Sequence, residues 1–209
     1  MGDVISLADH RLSRLSTPGS PAHQRPARVA LLFDLGSPFT YLAAERADRQ
    51  FPGLSWKPVL ADVLDLERPD RTEAEARARQ LGLPLVWPDL APDAVRPAMR
   101  VASLAAERGC AAAFVLAATR LAFCGGFDLD HPEVLAEAAA AANLGLEECL
   151  RAAGDTRRDA PMEERARKAF DHGADRLPAL RVGRLMFAGE DRFAEAVAAA
   201  QIPAALRAG

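Results

Sequence analysis

The alternation of apolar and polar residues predicts two strands and a helix between residues 29 and 60. Residues 29–33 form a continuous apolar run, which is typical of a buried strand. Residues 38–51 place alanine or phenylalanine at every fourth position with charged residues between them, which predicts an amphipathic helix. A Pro-Gly pair ends this helix, and residues 54–60 predict a second strand. The three segments form a β-α-β unit, which joins two parallel strands.

The long middle part of the chain has helical patterns only. Asp70 and Glu73 have the spacing of a capping box at a helix start. Glycine, proline or a capping residue separates each helical segment from the next. The predicted helices cover residues 70–81, 93–108, 111–123, 131–142, 147–153 and 161–172.

The pattern returns to strands towards the end of the chain. Residues 177–182 and 185–187, with a Gly-Arg turn between them, predict a β-hairpin. Residues 191–200 predict a closing helix. The order β-α-β, helices, β-β-α predicts an α/β protein with a four-stranded mixed sheet, which is a thioredoxin-like fold with a large all-helical insertion domain.

These patterns divide the chain into three parts. Residues 28–62 and 174–209 are predicted to form the thioredoxin-like domain, and residues 63–173 the helical insertion domain. Residues 1–27 are rich in Arg, Ser, Pro and His and lack the hydrophobic centre of a secretory signal. We therefore expect a flexible N-terminal tail.

Composition excludes several classes of function. The net charge of −3 gives no reason to expect a nucleic-acid partner. No apolar run reaches the ~18 residues that a membrane span requires, so we expect no membrane partner. The four histidines have no metal-binding spacing, so we predict no metal site. Cys110, Cys124 and Cys149 also lack paired spacing, which predicts buried structural thiols in a cytoplasmic protein.

Ser37 is the principal candidate for chemistry. It precedes Pro38, where the first strand passes into the first helix. The unpaired N–H groups and the positive dipole end of a helix N-terminus favour a thiolate or another anion, to which a serine hydroxyl can donate. The same dipeptide also suits an ordinary helix start, because Ser is a favoured N-cap residue and Pro a favoured first residue. Both interpretations remain open.

Three segments resemble the DsbA-like group, specifically its branch of 2-hydroxychromene-2-carboxylate isomerases and kappa-class glutathione transferases. The segments are FDLGSPFTYLA at 33–43, AFCGGFDLDHPEVLAEAA at 122–139 and LPALRVGRLMFAGEDRF at 177–193. Redox members of the group carry Cys-Pro-x-Cys where this chain has Ser37, Pro38, Phe39 and Thr40. Thiol–disulfide exchange requires an attacking thiolate, so we expect no disulfide oxidoreductase activity.

The resemblance implies an isomerase or transferase that depends on glutathione or another low-molecular-weight thiol. In such enzymes the residue matching Ser37 hydrogen-bonds the thiolate as the catalytic residue. The main chain of Leu177, before a cis Pro178, pairs with the tripeptide as an added strand would. The residues matching Glu190 and Asp191 hold the γ-glutamyl end. A homodimer is compatible with the resemblance.

The implied substrate is a small aromatic or conjugated molecule. The thiolate adds to a carbon conjugated with a carbonyl, the adduct rotates about the resulting single bond, and elimination completes a cis–trans isomerisation. Phe39, Tyr41 and Trp87 are candidates for the substrate pocket, although core packing is the more frequent role of such aromatic residues.

The chain also departs from the family pattern. Residues 61–80 lack the Asn and Lys that commonly bind the other end of glutathione, and Arg68 and Arg71 are candidate substitutes. Ala179 and Ala188 replace a usual Thr and Trp. The alternative hypothesis is therefore a catalytically silent DsbA-like binding module.

Overall fold

The computed structural model describes residues 28–64, 70–88 and 95–202. The strands of its sheet are β1 (Val29–Phe33), β2 (Ser55–Pro58), β3 (Ala179–Val182) and β4 (Leu185–Ala188). Within the described residues, the α-helices are α1 (Pro38–Gln50), α2 (Arg71–Leu81), α3 (Arg96–Arg108), α4 (Ala111–Phe123), α5 (Pro132–Ala141), α6 (Leu146–Ala153), α7 (Asp159–Asp171) and α8 (Phe193–Gln201). Short 3-10 turns occupy Ala61–Val63, Thr156–Arg158 and Glu190–Arg192.

The sheet has four strands in the order β2-β1-β3-β4. Strand β1 runs parallel to β2 and antiparallel to β3, and β4 is antiparallel to β3. In this register Leu32 lies beside Lys57 on one side and Ala179 on the other. The predicted mixed sheet and the thioredoxin-like order of elements are confirmed.

Strand β1 is covered on both faces of the sheet. Leu31 and Phe33 belong to the larger apolar cluster, which also includes residues of α1, α3, α4 and α8. Leu32 belongs to a smaller cluster with Ala166 and Ala169 of α7. Because neighbouring strand residues point to opposite faces, a strand covered on both sides needs an unbroken apolar run. This explains the pattern that predicted β1.

The predicted element boundaries differ from the structure at a few ends. Strand β3 begins at Ala179 rather than at residue 177, because Pro178 has no N–H to contribute to the ladder. Helix α8 begins at Phe193 rather than at residue 191, because Glu190–Arg192 forms a 3-10 turn. The capping prediction at Asp70 is confirmed, since its carboxylate accepts hydrogen bonds from two N–H groups of the first turn of α2.

Some sequence predictions remain untested. Residues 1–27, predicted to form a tail, lie outside the described residues, as does Arg68. The division into a thioredoxin-like domain and an insertion stays a prediction, and the larger apolar cluster contains residues from both parts. None of the described helices is both long and apolar enough to cross a membrane.

The cysteines are all free, but only one is fully buried. Cys149 is buried, whereas Cys110 and Cys124 are half-buried, so the prediction of three buried thiols is wrong for two of them. Burial raises the pKa of the Cys110 and Cys149 thiols, which disfavours the reactive thiolate.

Phe193 connects the first and last helices of the thioredoxin-like part. Its ring packs edge-to-face on Phe51 with 5.3 Å between centroids, and the Arg46 guanidinium lies 4.8 Å from its centre. Phe193→Ala should lower the free energy of unfolding by about 3–5 kcal/mol, because it leaves a cavity in the core. Phe170→Ala is the matched control in urea unfolding, since Phe170 is 47% exposed. Equal losses for the two variants would contradict this role.

Candidate functional site

A buried carboxylate fixes the turn between β1 and α1. Asp34 follows β1 directly and is only 7% exposed. One of its oxygens accepts a hydrogen bond from the N–H of Gly36 at 2.8 Å, and the other accepts from the N–H of Ala61 at 3.0 Å. Asp34 therefore ties the turn that carries Ser37 to the 3-10 turn after β2.

Ser37 is the N-cap residue of α1, but its side chain does not cap the helix. Its carbonyl oxygen accepts a hydrogen bond from the N–H of Thr40 at 3.0 Å. The Ser37 Oγ is buried, and so is the Thr40 Oγ1, and neither has a hydrogen-bond partner in the described part of the chain. A buried hydroxyl without a partner is destabilising, so the Ser37 hydroxyl at the start of α1 would gain free energy from a polar ligand, whereas Thr40 is fully buried within the helix.

The peptide bond between Leu177 and Pro178 is cis, as the resemblance implied. Since Ala179 pairs with Leu32 at the end of the ladder, Leu177 and Pro178 lie at the end of the sheet where β1 leads into the Ser37 turn. The carbonyl of Pro178 accepts a hydrogen bond from the N–H of Gly189 at 3.0 Å. No hydrogen bond joins the main chain of Leu177 to another described residue.

Glu190 is a buried carboxylate held by two arginines. It is 2% exposed and forms ion pairs with Arg46 of α1 and Arg77 of α2. The Arg77 Nη2 also donates to the Glu190 Oε1 at 3.3 Å. The carboxylate is thus already paired inside the chain, and its predicted contact with a thiol ligand stays a prediction.

Asp191 is the exposed acidic residue of the same turn. Its side chain is 56% exposed, and one of its oxygens lies 3.7 Å from a guanidinium nitrogen of Arg176. The turn depends on Gly189, which has a φ of +93°. A Cβ at this position would lie 2.3 Å from the Asp191 Oδ1, so glycine is required for this orientation of the carboxylate.

A cavity of about 250 Å³ brings several of these residues together. Its lining includes Phe39, Glu73, Arg77, Arg176, Glu190 and Asp191. Glu73 also pairs with Arg176, at 2.9 Å. The cavity therefore carries both positive and negative side chains, and these form ion pairs with one another. Among the described residues, Ser37, Leu177 and Pro178 are outside this lining.

Of the other aromatic candidates, Tyr41 is buried and Trp87 is half-buried. Tyr41 is 1% exposed, its ring stacks on Phe123, and its hydroxyl lies 3.2 Å from the Cys124 Sγ. Trp87 donates its indole N–H to the carboxylate of Glu75, and the guanidinium of Arg71 lies 4.5 Å from the centre of the Trp87 ring. Arg71 thus contacts Trp87, and its role as a substitute ligand for glutathione stays a prediction.

The site also contains residues that the sequence did not single out. Asp34 lies within the segment that resembles the family, but no role followed from the motif alone. Nothing in the sequence indicated that Arg46 and Arg77 belong to the site, because their partner Glu190 is distant in sequence.

Away from the cavity, Asp128, Asp130 and His131 place three ligand atoms within 4.8 Å of one another. The prediction of no metal site stays a prediction.

The stability of the protein should depend on pH through Asp34. Burial raises the pKa of this carboxyl, and its two N–H partners oppose the effect only in part. When the pKa of a carboxyl is higher in the folded than in the unfolded protein, the folded state is stabilised at a pH below the ordinary pKa of aspartate. This stabilisation is lost as the pH rises through the raised pKa of the folded state. Asp34→Asn removes the titration but leaves one N–H without its acceptor, at a cost of about 1–3 kcal/mol. The loss of unfolding free energy in Asp34→Asn relative to wild type should be largest at acidic pH and shrink as the pH rises. Urea unfolding between about pH 4 and about pH 8 measures this loss.

The matched control is Asp48→Asn, which removes the same charge from an exposed position of α1. It separates the effect of the buried carboxyl from that of the lost negative charge. A cost of Asp34→Asn that grows with rising pH would contradict the assignment.

Removal of the Glu190 charge should destabilise the protein. Glu190→Gln leaves Arg46 and Arg77 without their shared counter-ion, although these side chains are 22% and 28% exposed and remain in partial contact with water. We expect a loss of about 1–3 kcal/mol, below that of a fully buried pair. Glu195→Gln, which breaks an exposed pair with Arg192, is the control in urea unfolding and should cost less. Equal losses of unfolding free energy in Glu190→Gln and Glu195→Gln would contradict a larger contribution from the buried ion pairs.

No protein-family model matches the chain. No curated protein matches it either.

Solved structures do resemble it. One is 2-hydroxychromene-2-carboxylate isomerase, with a TM-score of 0.68 and 21% identity over 82% of this chain and 93% of the other. Another, from Streptomyces coelicolor, is described as a DsbA oxidoreductase, with a TM-score of 0.59 and 22% identity over 83% and 89% of the two chains. A third, from Nitrosomonas europaea, is described as a protein disulfide isomerase, with a TM-score of 0.61 and 16% identity over 88% and 100%. The chain therefore has the DsbA-like thioredoxin fold, with helices inserted between its two halves.

Proposed function

We propose that this protein binds glutathione or an equivalent small thiol and acts as an isomerase or transferase on an aromatic or conjugated electrophile. The observation that carries the proposal is the buried, unpartnered hydroxyl of Ser37 at the N-terminus of α1. The similar 2-hydroxychromene-2-carboxylate isomerase indicates the type of reaction.

Ser37 fits the sulfur of such a thiol. A serine hydroxyl donates a hydrogen bond to a thiolate, and the dipole of the helix N-terminus favours the ionised form. The Asp34 carboxylate holds the turn in position through its two main-chain hydrogen bonds. When bound, the thiol supplies a nucleophilic sulfur, which adds reversibly to a conjugated carbon and so permits rotation about the former double bond.

The remainder of a tripeptide thiol has candidate partners at the same end of the sheet. The main-chain groups of Leu177, before Pro178, form no hydrogen bond with another described residue and can pair with an extended peptide. Asp191 can bind the ammonium of the γ-glutamyl end, and Arg77 and Arg176 can bind its carboxylate. In this arrangement Glu190 positions Arg77 for the ligand.

The electrophile would approach from the side of Phe39, which lines the cavity with an aromatic ring. Disulfide exchange is not part of the proposal, because Ser37 and Thr40 replace the sulfurs that it needs. The three free cysteines suit a reducing cytoplasm, which we propose as the location. A homodimer is also part of the proposal.

A specific observation favours a second candidate function. Among the described residues, the Ser37 hydroxyl is not part of the lining of the 250 Å³ cavity. A module that binds a partner peptide along Leu177, without chemistry at Ser37, would have this arrangement.

Thiol titration distinguishes the two functions. Thiolate absorbance of added glutathione is followed against pH with the wild type, Ser37→Ala and Thr40→Val. The wild type should lower the pKa of the bound thiol. Ser37→Ala removes a charge-assisted hydrogen bond worth about 1.5–3 kcal/mol and should raise this pKa by about one to two relative to wild type. Thr40→Val removes the other buried hydroxyl and is the matched control.

The outcomes separate the hypotheses. Absence of binding by glutathione and by other small thiols would favour the silent binding module. Binding with the same thiol pKa in Ser37→Ala would remove Ser37 from the mechanism. Turnover of 2-hydroxychromene-2-carboxylate by the wild type, lost in Ser37→Ala, would support the isomerase.

A further inference from the structure

A second cavity lies on the face of the sheet that α7 partly covers. It measures about 220 Å³ and is lined by Ala30, Leu32, Lys57, Arg165 and Arg181. The register accounts for its position, because Lys57 lies beside Leu32 and Arg181 lies across from Ala30. Arg165 comes from α7, which covers the adjoining part of this face. Three positive side chains and two apolar ones therefore line this cavity.

These positive charges are not neutralised by the described chain. No described carboxylate lines the cavity, and none forms an ion pair with Lys57, Arg165 or Arg181. Arg165 donates one hydrogen bond to the carbonyl of Pro58, which carries no net charge. By contrast, Arg100 of α3 has a carboxylate partner at 2.7 Å.

The position of Arg165 makes this lack of a counter-ion costly. Burial lowers the pKa of its guanidinium, which is the effect of lost hydration on a positive charge. A guanidinium nevertheless stays protonated in proteins, so the charge persists at neutral pH. A bound anion would compensate for the lost hydration.

The surroundings increase the positive potential. Arg28 and Arg184 are exposed at the end of the sheet where β1 begins, and neither has a carboxylate partner among the described residues. The carbonyl of Arg28 accepts a hydrogen bond from the N–H of Gly183 at 3.2 Å, which places the two arginines at the same sheet end. Clustered charges of one sign attract an oppositely charged ligand to a concave site.

We infer that this cavity binds a phosphate group, either as free phosphate or as a small phosphate monoester. Two guanidinium groups and an ammonium group can together donate to the several oxygens of a dianion. Ala30 and Leu32 leave an apolar surface for a short organic group. The site is separate from the thiol site, because its lining contains neither Ser37 nor any residue of the first cavity.

Calorimetric titration of the full chain tests this inference. The probes are inorganic phosphate and glycerol 3-phosphate, with chloride used to keep the ionic strength constant. Lys57→Gln and Arg181→Gln should each weaken phosphate binding by about tenfold, since each removes one charge-assisted contact. Both variants keep Arg165 and its contact with Pro58. The control is Arg151→Gln, which removes the same charge from an exposed position of α6.

Each result supports or overturns the site. Tighter binding of glycerol 3-phosphate than of inorganic phosphate would identify a phosphate monoester as the ligand of this cavity. Equal affinities for the two probes would identify free phosphate. No binding of either probe, or an equal loss in Arg151→Gln, would overturn the inference. Ser37→Ala should leave phosphate affinity unchanged, so failure of the thiol proposal is distinguishable from failure of this one.

Discussion

The buried carboxylate of Glu190 joins three parts of the chain that are distant in sequence. It follows the last strand and binds Arg46 from the first helix and Arg77 from the first inserted helix. A carboxylate that is 2% exposed needs such partners, because an unpaired buried charge is strongly destabilising. The pairing thus determines how α1, α2 and the final turn meet, and the cavity between them depends on it.

Much of the fold could be predicted from local chemistry. Strand β1 could be predicted from its unbroken apolar run, and α2 from the capping residue Asp70, because each signal lies within its own element. The arginine partners of Glu190 could not be predicted, because only the folded chain brings them together. The side chain of Ser37 was equally undetermined: the sequence was compatible with a capping hydroxyl, whereas the structure has a buried hydroxyl without a partner.

The two cavities differ in their electrostatics. The cavity beside Phe39 combines arginines with carboxylates, so its charges are largely balanced within the protein. In the second cavity, Lys57, Arg165 and Arg181 have no described counter-ion. The two linings share no residue, because the first is built from helices, Arg176 and the final turn, whereas the second includes residues of the strands.

The central position of β1 has a consequence for the order of folding. Its antiparallel neighbour β3 comes after all the inserted helices, so the chain must close a long loop before the two strands can pair. Contacts between helices close in sequence form sooner than such distant ones. During synthesis, β1 therefore keeps an unpaired edge until the C-terminal hairpin leaves the ribosome, and the nascent chain is open to aggregation for that interval.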